Sequence, residues 1–386
     1  MAADKTLFIL CVFCIFVGMA ASYSLSFYVA AHYADSYHFF VKQFLVGTLG
    51  IAVMWYLSQL NPDKYISAIG FGIFTVCFFI IVFMWFLPEQ FVKSVGGAKR
   101  WIMLPGFSFA PVEFLKIGFV FLLARNFAKD IIPNKRTFKE ELNLLLPYLI
   151  IFLIITFFIV VLQNDIGQVI VLALTFSVMA LFAGTSFRFF LIALLFFVIA
   201  SILIIANSEH RIVRIKGWWF FGQDFYLSFL PENIANFLRI ENAPEPYQLF
   251  HSLNAIKHGG LFGEGIGDGI IKLGYLSDVH TDFVLSGIAE EIGAIGVIGI
   301  TFILYLIVYR LFKIASRSQN RVYSLFTLGF AMLLVFSFLM NAYGIISITP
   351  IKGIAVPFLS YGGSSLLATC IGIGMILMIS KRADLR

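Results

Sequence analysis

The chain has 386 residues, of which 60% are apolar, 17% aromatic and only 12% charged. Soluble domains carry roughly 25% charged residues, so this composition excludes a water-covered globule and makes lipid the expected solvent. The net charge of +6 would suit nucleic acid if it were gathered in one patch, but the basic residues are dispersed between apolar spans, which argues against a nucleic-acid partner.

A membrane-crossing helix needs about 20 apolar residues. In chain order, such stretches fall at 7–30, 39–60, 66–87, 114–128, 142–162, 167–183, 187–206, 283–309, 323–348 and 356–379. They predict an all-α integral membrane protein with ten transmembrane helices. The first run exceeds the roughly 7–15 apolar residues of a signal-peptide core, so it reads as a retained anchor. The fourth and sixth runs are short, which fits tilted or kinked helices. Without an internal repeat or low-complexity linker, 1–386 reads as a single polytopic membrane domain. Lys and Arg crowd the short connections at 129–139 and 310–321 and the tail at 381–386. By the positive-inside rule these face the cytoplasm together with both termini. The two long connections, 88–112 and 207–282, then lie outside. The large extracytoplasmic loop 207–282, between the seventh and eighth spans, carries Trp218, Trp219 and an amphipathic stretch from Gln248 to His258, as a segment lying along the membrane interface does.

Ionisable groups in or beside membrane spans are functional candidates, because exposing them to lipid is costly. Here they gather on the predicted outer side: Lys99 and Arg100 before Trp101, Glu113 and Lys116 opening the fourth span, Asp165 after the fifth. His280 and Asp282 precede the eighth span, Glu290 and Glu291 lie within it, and Lys352 precedes the tenth. Simpler roles exist for most. Glu113 and Lys116, three apart, suit a local ion pair; Asp165 and Asp282 suit helix N-caps; Lys99 and Arg100 suit a solvated loop. Glu290 and Glu291 have no base nearby in sequence, so they call for partners from elsewhere, with Lys99, Arg100, Lys116 and Lys352 as the available cations. The glycine-rich stretch 259–269 follows no strand and lacks GxGxxG spacing and the Lys-Ser/Thr of a P-loop, so it is not a nucleotide site; its glycines suit close backbone approach to a ligand. SYGGSS at 360–365 suits small-residue helix packing. The four cysteines, Cys11, Cys14, Cys77 and Cys370, stand in apolar stretches and read as packing residues rather than metal ligands.

Taken in order, the segments GAKRWI (97–102), PVEFLK (111–116), QNDIG (163–167), YQLFHSLNAIKHGGLFG (247–263), KLGYLSDVHTDFVLSGIAEEIG (272–293) and KGIAVPFLSYGGSS (352–365) resemble the SEDS family (shape, elongation, division and sporulation) of bacterial peptidoglycan glycosyltransferases. The segment from Lys272 to Tyr275 followed by HTDF is similar to the cell-division branch more than to the elongation branch. Ser277-Asp278 and Asn164-Asp165 depart from the family's usual Pro-Glu and Pro-Asp. The resemblance implies a SEDS-type fold and an inverting enzyme of the bacterial inner membrane. It implies lipid II as substrate, septal peptidoglycan synthesis, and a class B penicillin-binding protein transpeptidase and other divisome proteins as partners. A divalent cation (Mg or Mn) is implied as a possible aid, with no organic cofactor. The family's catalytic aspartate matches Asp282. Arg100, Lys116 and Lys352 become candidates for the pyrophosphate, with Glu113 and Glu291 fixing their positions. Lys99, Trp101, Asp165, Lys272, His280, Glu290 and Ser360 complete the expected substrate site. Two other readings stay open at this point: a lipid II flippase, and an elongation-type polymerase.

Overall fold

The computed structural model describes residues 3–31, 37–88, 90–92, 98–104, 107–130, 137–206, 208–244 and 246–384. In chain order the elements are α1 (Lys5–Ala31), α2 (His38–Gln59), α3 (Pro62–Phe83), the antiparallel hairpin β1 (Ile102–Leu104) and β2 (Phe107–Phe109), α4 (Pro111–Asp130), α5 (Phe138–Gln163), α6 (Ile166–Ala183), α7 (Phe187–Ala206), α8 (Glu209–Leu227), α9 (Glu232–Leu238), α10 (Tyr247–Gly259), α11 (Val284–Arg317), α12 (Arg321–Ile345) and α13 (Gly363–Ser380).

Local chemistry sets many of the boundaries. Asn61 accepts the Asp63 N–H (3.0 Å) ahead of Pro62 in the first turn of α3. Thr137 and Glu140 form a reciprocal capping box at the start of α5, satisfying two of the orphan donors that every helix start leaves. Between α5 and α6, Asn164 takes a left-handed conformation and Asp165 accepts the Gln168 N–H (3.2 Å). The capping role open to Asp165 is therefore real. The one open to Asp282 is not, since Phe283 occupies the N-cap of α11 and no side chain caps that end.

Nine of these helices among the described residues are long and apolar enough to cross a membrane, against ten expected. The exception is α4. Its 20 residues would rise about 30 Å, but Glu113, Lys116, Arg125 and Lys129 dilute its apolarity. It can carry them because it runs through the middle of the bundle, where Leu115, Phe119, Val120, Phe121, Leu123 and Ala124 are buried, rather than facing lipid. α6, α12 and α13 are also mostly enclosed, whereas α3 and α7 turn most of their surface outward.

Two expected spans differ in kind. The tenth begins at Gly363, not 356, because 352–362 is irregular backbone. The eighth is broken at Gly293, where φ is 69° and ψ −177°. The 24 residues after the break would rise about 36 Å, enough to span alone. Glu290 and Glu291 thus sit on a short helix before the break instead of deep in the span.

The break is filled by the glycine-rich loop after α10. Glu264 and Gly265 N–H groups donate to the Glu290 and Glu291 carbonyls (both 3.0 Å), and Ala294 and Ile295 N–H groups donate to the Gly260 and Leu261 carbonyls (2.9 and 3.2 Å). The orphaned backbone groups of the interrupted helix find partners in this way. A Cβ on Gly263 would stand 2.3 Å from the Glu291 carbonyl oxygen, so the close approach here is to the backbone of α11, where the sequence predicts a ligand.

The expected loop 207–282 contains three helices, and its amphipathic stretch becomes α10, packed on α11. At the opposite end of the bundle, Asp4 pairs with Arg310 (2.6 Å) and its N–H donates to the Ser380 hydroxyl (3.0 Å). Both chain termini therefore belong to one end and the charged segments at 98–101, 164–165, 278–282 and 350–353 to the other.

Candidate active site

The irregular segment 352–362 owes its shape to polar pins rather than to a regular element. The Asn341 amide, buried on α12, donates to the carbonyls of both Asp282 (2.6 Å) and Ile354 (2.8 Å). Ser360 accepts the Val356 N–H (2.8 Å) and donates to the Thr281 carbonyl (2.6 Å), while the Tyr361 N–H donates to the His280 carbonyl (2.8 Å). Two chain segments some eighty residues apart are thereby laid side by side. The result sets the Asp282 carboxylate against Gly353, where an added Cβ would lie 2.7 Å from its Oδ2. Only glycine leaves that room.

Beyond Gly353 opens a cavity of about 660 Å³. Arg100, Lys352, Arg211 and Arg214 line it, with Trp101, Trp218, Asp165 and Asp278. Arg100 is held by donating to the backbone carbonyls of Gln163 (2.9 Å) and Asn164 (3.5 Å). Arg211 donates to the Ile204 carbonyl (3.0 Å) and to the Asn164 side chain. Neither guanidinium has a carboxylate partner among the described residues, so four cations face one space without ion pairs of their own.

This field acts on the titrating groups. Burial pushes the Asp282 carboxyl up to about 6, with Asp278 and Asp165 adding to the rise and Arg100 opposing it. Burial also raises Asp165, against the pull of Arg100 and the Gln168 N–H. Lys352 is pushed down, chiefly by burial and then by Arg214. His280 is lowered by burial; it is packed between Phe39 and Tyr361 with ring centroids 4.8 and 5.5 Å away. A carboxylate near neutrality beside a nest of cations combines a proton acceptor with an anion cradle.

The remaining expected residues divide into two further groups. Lys116 pairs with Glu113 (2.9 Å) and donates to Gln168 (2.8 Å), whose amide donates back to Glu113 (3.0 Å). This closed triad lines a small separate cavity of about 40 Å³. Lys272 pairs with Glu291 (2.6 Å) and donates to the Ser24 hydroxyl (3.2 Å), all three buried. Glu290, fully buried, accepts the Ile270 and Ile271 N–H groups (2.8 and 2.9 Å) and lies 3.2 Å from His258 Nδ1. The expected pairing of Glu290 and Glu291 with Lys99, Arg100, Lys116 or Lys352 is therefore wrong. Those cations lie on other elements, and the two glutamates serve the loop of 263–272 instead. Glu113 positions Lys116 as expected, but Glu291 positions Lys272. Lys99 contributes its backbone, donating to the Leu162 carbonyl (2.8 Å), and Ser360 is a backbone pin.

The family model described as Cell cycle protein, FtsW/RodA/SpoVE, matches residues 4–385. The chain belongs to this family. A Helicobacter pylori protein named "Probable peptidoglycan glycosyltransferase FtsW" is 46% identical over 386 residues, covering 99% of each chain. A Trichlorobacter lovleyi protein of the same name is 32% identical, covering 94% of this chain and 89% of its own. Among solved structures, the Thermus thermophilus rod shape determining protein RodA superposes with a TM-score of 0.66 at 21% identity, covering 100% of this chain and 99% of its own. A chain of a peptidoglycan synthase complex superposes at 0.71, also 21% identical, covering 99% and 98%. The family resemblance carried by the motifs is borne out over the whole length, and the relatives' names fall on the division branch.

Four residues of this FtsW/RodA/SpoVE chain that line the cavity escaped the sequence reading: Arg211, Arg214, Asp278 and Gly353. The spacing of Arg211 and Arg214, three apart and so on one face of a helix, was the available signal. Nothing in the sequence tells which cavity that face borders.

Proposed function

We propose that this chain is a peptidoglycan glycosyltransferase that polymerises lipid II at the outer face of the bacterial cytoplasmic membrane, acting in septal wall synthesis. The observation that carries the reading is the juxtaposition just described: four cations without ion pairs among the described residues around one cavity, with Asp282 behind Gly353 and its carboxyl raised to about 6.

The acceptor's sugar 4-hydroxyl loses its proton to Asp282 as its oxygen attacks the donor's anomeric carbon. The new β-1,4 bond forms with inversion, and the bond to the lipid diphosphate breaks. Arg100, Lys352, Arg211 and Arg214 meet the charge that develops on the departing diphosphate. Trp101 and Trp218 supply apolar faces for the sugars. The Glu113–Lys116–Gln168 triad and the buried Lys272–Glu291 pair hold the surrounding helices in register. A divalent cation arriving with the diphosphate fits this cavity, because Asp165 and Asp278 offer the one or two carboxylates that magnesium takes beside phosphate oxygens. When bound there, it would supply further charge neutralisation. The partner we assign is a class B penicillin-binding protein within the divisome.

Lipid II incubated with the purified chain in detergent should yield glycan polymer and free lipid diphosphate. An Asp282→Asn protein that is as active as wild type, or a wild type that only moves lipid II across vesicles, would overturn the assignment. For the orientation, with both termini cytoplasmic, single cysteines at Arg317 and His258 are informative because the four native cysteines are buried. Impermeant reagent should label position 258 in intact cells and spare 317. Position 136 lies outside the described residues.

A further inference from the structure

At the end of the bundle that carries both termini, several acids among the described residues are already engaged. Asp4 is taken by Arg310, Asp63 by Arg382 and the Tyr323 hydroxyl, Glu140 by the capping box of α5, and Glu141 by Ser186. Arg125, Lys129 and Arg321 enter no ion pair among the described residues, and they converge on one cavity of about 630 Å³ between α3, α4 and the start of α12.

The two arginines are held ready by something other than a carboxylate. The Arg125 guanidinium sits over the Phe71 ring, 4.8 Å from its centroid, a cation–π contact that fixes its direction without cancelling its charge. Arg321 donates to the Ala183 carbonyl. It stands in the first turn of α12, which contains no acidic residue, so its charge adds to the positive end of the helix dipole instead of offsetting it. Lys129 occupies the last turn of α4. Orientation by the positive-inside rule accounts for cations at one end of a membrane protein. It does not account for three of them facing the same cavity.

The depth of the cavity selects the ligand. Arg125 stands about 8 Å back from the end of α4 at 1.5 Å per residue, and the neighbouring α3 leaves most of its apolar surface uncovered by the bundle. Basic pockets between transmembrane helices are known to take anionic headgroups. We propose that this cavity binds the phosphate of an anionic phospholipid, such as phosphatidylglycerol or cardiolipin, whose acyl chains run along α3. The site is separate from the cavity beside Asp282, and the inference rests on the proposed cytoplasmic placement of this end.

The full-length protein, purified in a neutral detergent, is titrated with phosphatidylglycerol or cardiolipin and with phosphatidylcholine, and retained lipid is counted by native mass spectrometry. The variants are Arg125→Gln/Lys129→Gln/Arg321→Gln and, in case Arg321 is needed for folding, Arg125→Gln/Lys129→Gln. The control, Lys5→Gln/Lys64→Gln/Lys139→Gln, removes the same charge from the same end outside the cavity. The expected result is selective retention of anionic lipid by wild type and control, weakened on the order of a hundredfold in the triple variant and about thirtyfold in the double. Equal loss in the control would reduce the effect to net charge and overturn the proposal. So would equal retention of phosphatidylcholine, unchanged binding in a double variant that melts like wild type, or displacement of the lipid by millimolar glycerol phosphate.

Discussion

Asp282→Asn tests the chemistry and the electrostatics together. The Asp282 carboxyl is raised from an ordinary 3.8 to about 6, roughly two units, and each unit is worth 1.36 kcal/mol. Ionising it in the folded protein therefore costs about 3 kcal/mol more than in the unfolded chain. The folded state binds more protons between about pH 4 and pH 6, so stability is greatest below the unfolded value and falls as pH rises through the folded one. Asparagine keeps the shape but never ionises. The variant should thus melt higher than wild type at pH 7.5, with the gap shrinking as pH falls below about 6, while polymerisation drops by roughly 10²–10⁴-fold. Wild-type turnover should rise with pH through about 6 as the base loses its proton. Thermal melting of detergent-solubilised protein between pH 5 and 8, run beside the polymerisation assay, reads all three. A variant that melts lower than wild type at pH 7.5, or that keeps its activity, would refute the reasoning.

Arg100→Ala and Lys352→Ala should each cut polymerisation by at least tenfold with melting little changed, and Lys352→Arg should rescue only partly because a planar fork is not a point charge. Lys272→Met should destabilise by about 3–5 kcal/mol, since it strands the buried Glu291 charge; adding Glu291→Leu should recover much of that loss in the melting temperature. Gly293→Ala places a Cβ 2.3 Å from the Leu261 carbonyl oxygen at a φ of 69° and ψ of −177°, so it should destabilise by more than the roughly 1–3 kcal/mol of backbone strain alone, read as a lowered melting temperature.

How much of this was legible beforehand depends on the range over which each feature is determined. Apolar runs mark the spans because lipid burial is decided residue by residue, and the Asp165 cap and Glu113–Lys116 pair are visible because their partners lie three positions away. Glu291 was given the wrong cation because Lys272 is 19 residues distant and reaches it only through the loop that fills the break at Gly293. The start of the tenth span was misplaced for a related reason. Residues 356–361 are apolar enough to pass for helix, but Ser360 and Asn341 draw their backbone onto Thr281 and Asp282. Arg211 and Arg214 carry no local sign of a site role, because only the fold brings them to the cavity that Lys352 lines.

The loop that fills the break in α11 bears on how the protein can be cut down. Residues 260–265 contribute backbone partners to both sides of Gly293, so they act as a spliced section of the helix and not as a cover hinged at its ends. Removing the segment between α7 and α11 to obtain a minimal core would strand four peptide groups inside the bundle. At about 1–3 kcal/mol for each buried group left unsatisfied, the loss rivals the whole stability of an ordinary domain. A shortened version that folds would have to keep α10 and this loop, and could shed only what precedes them.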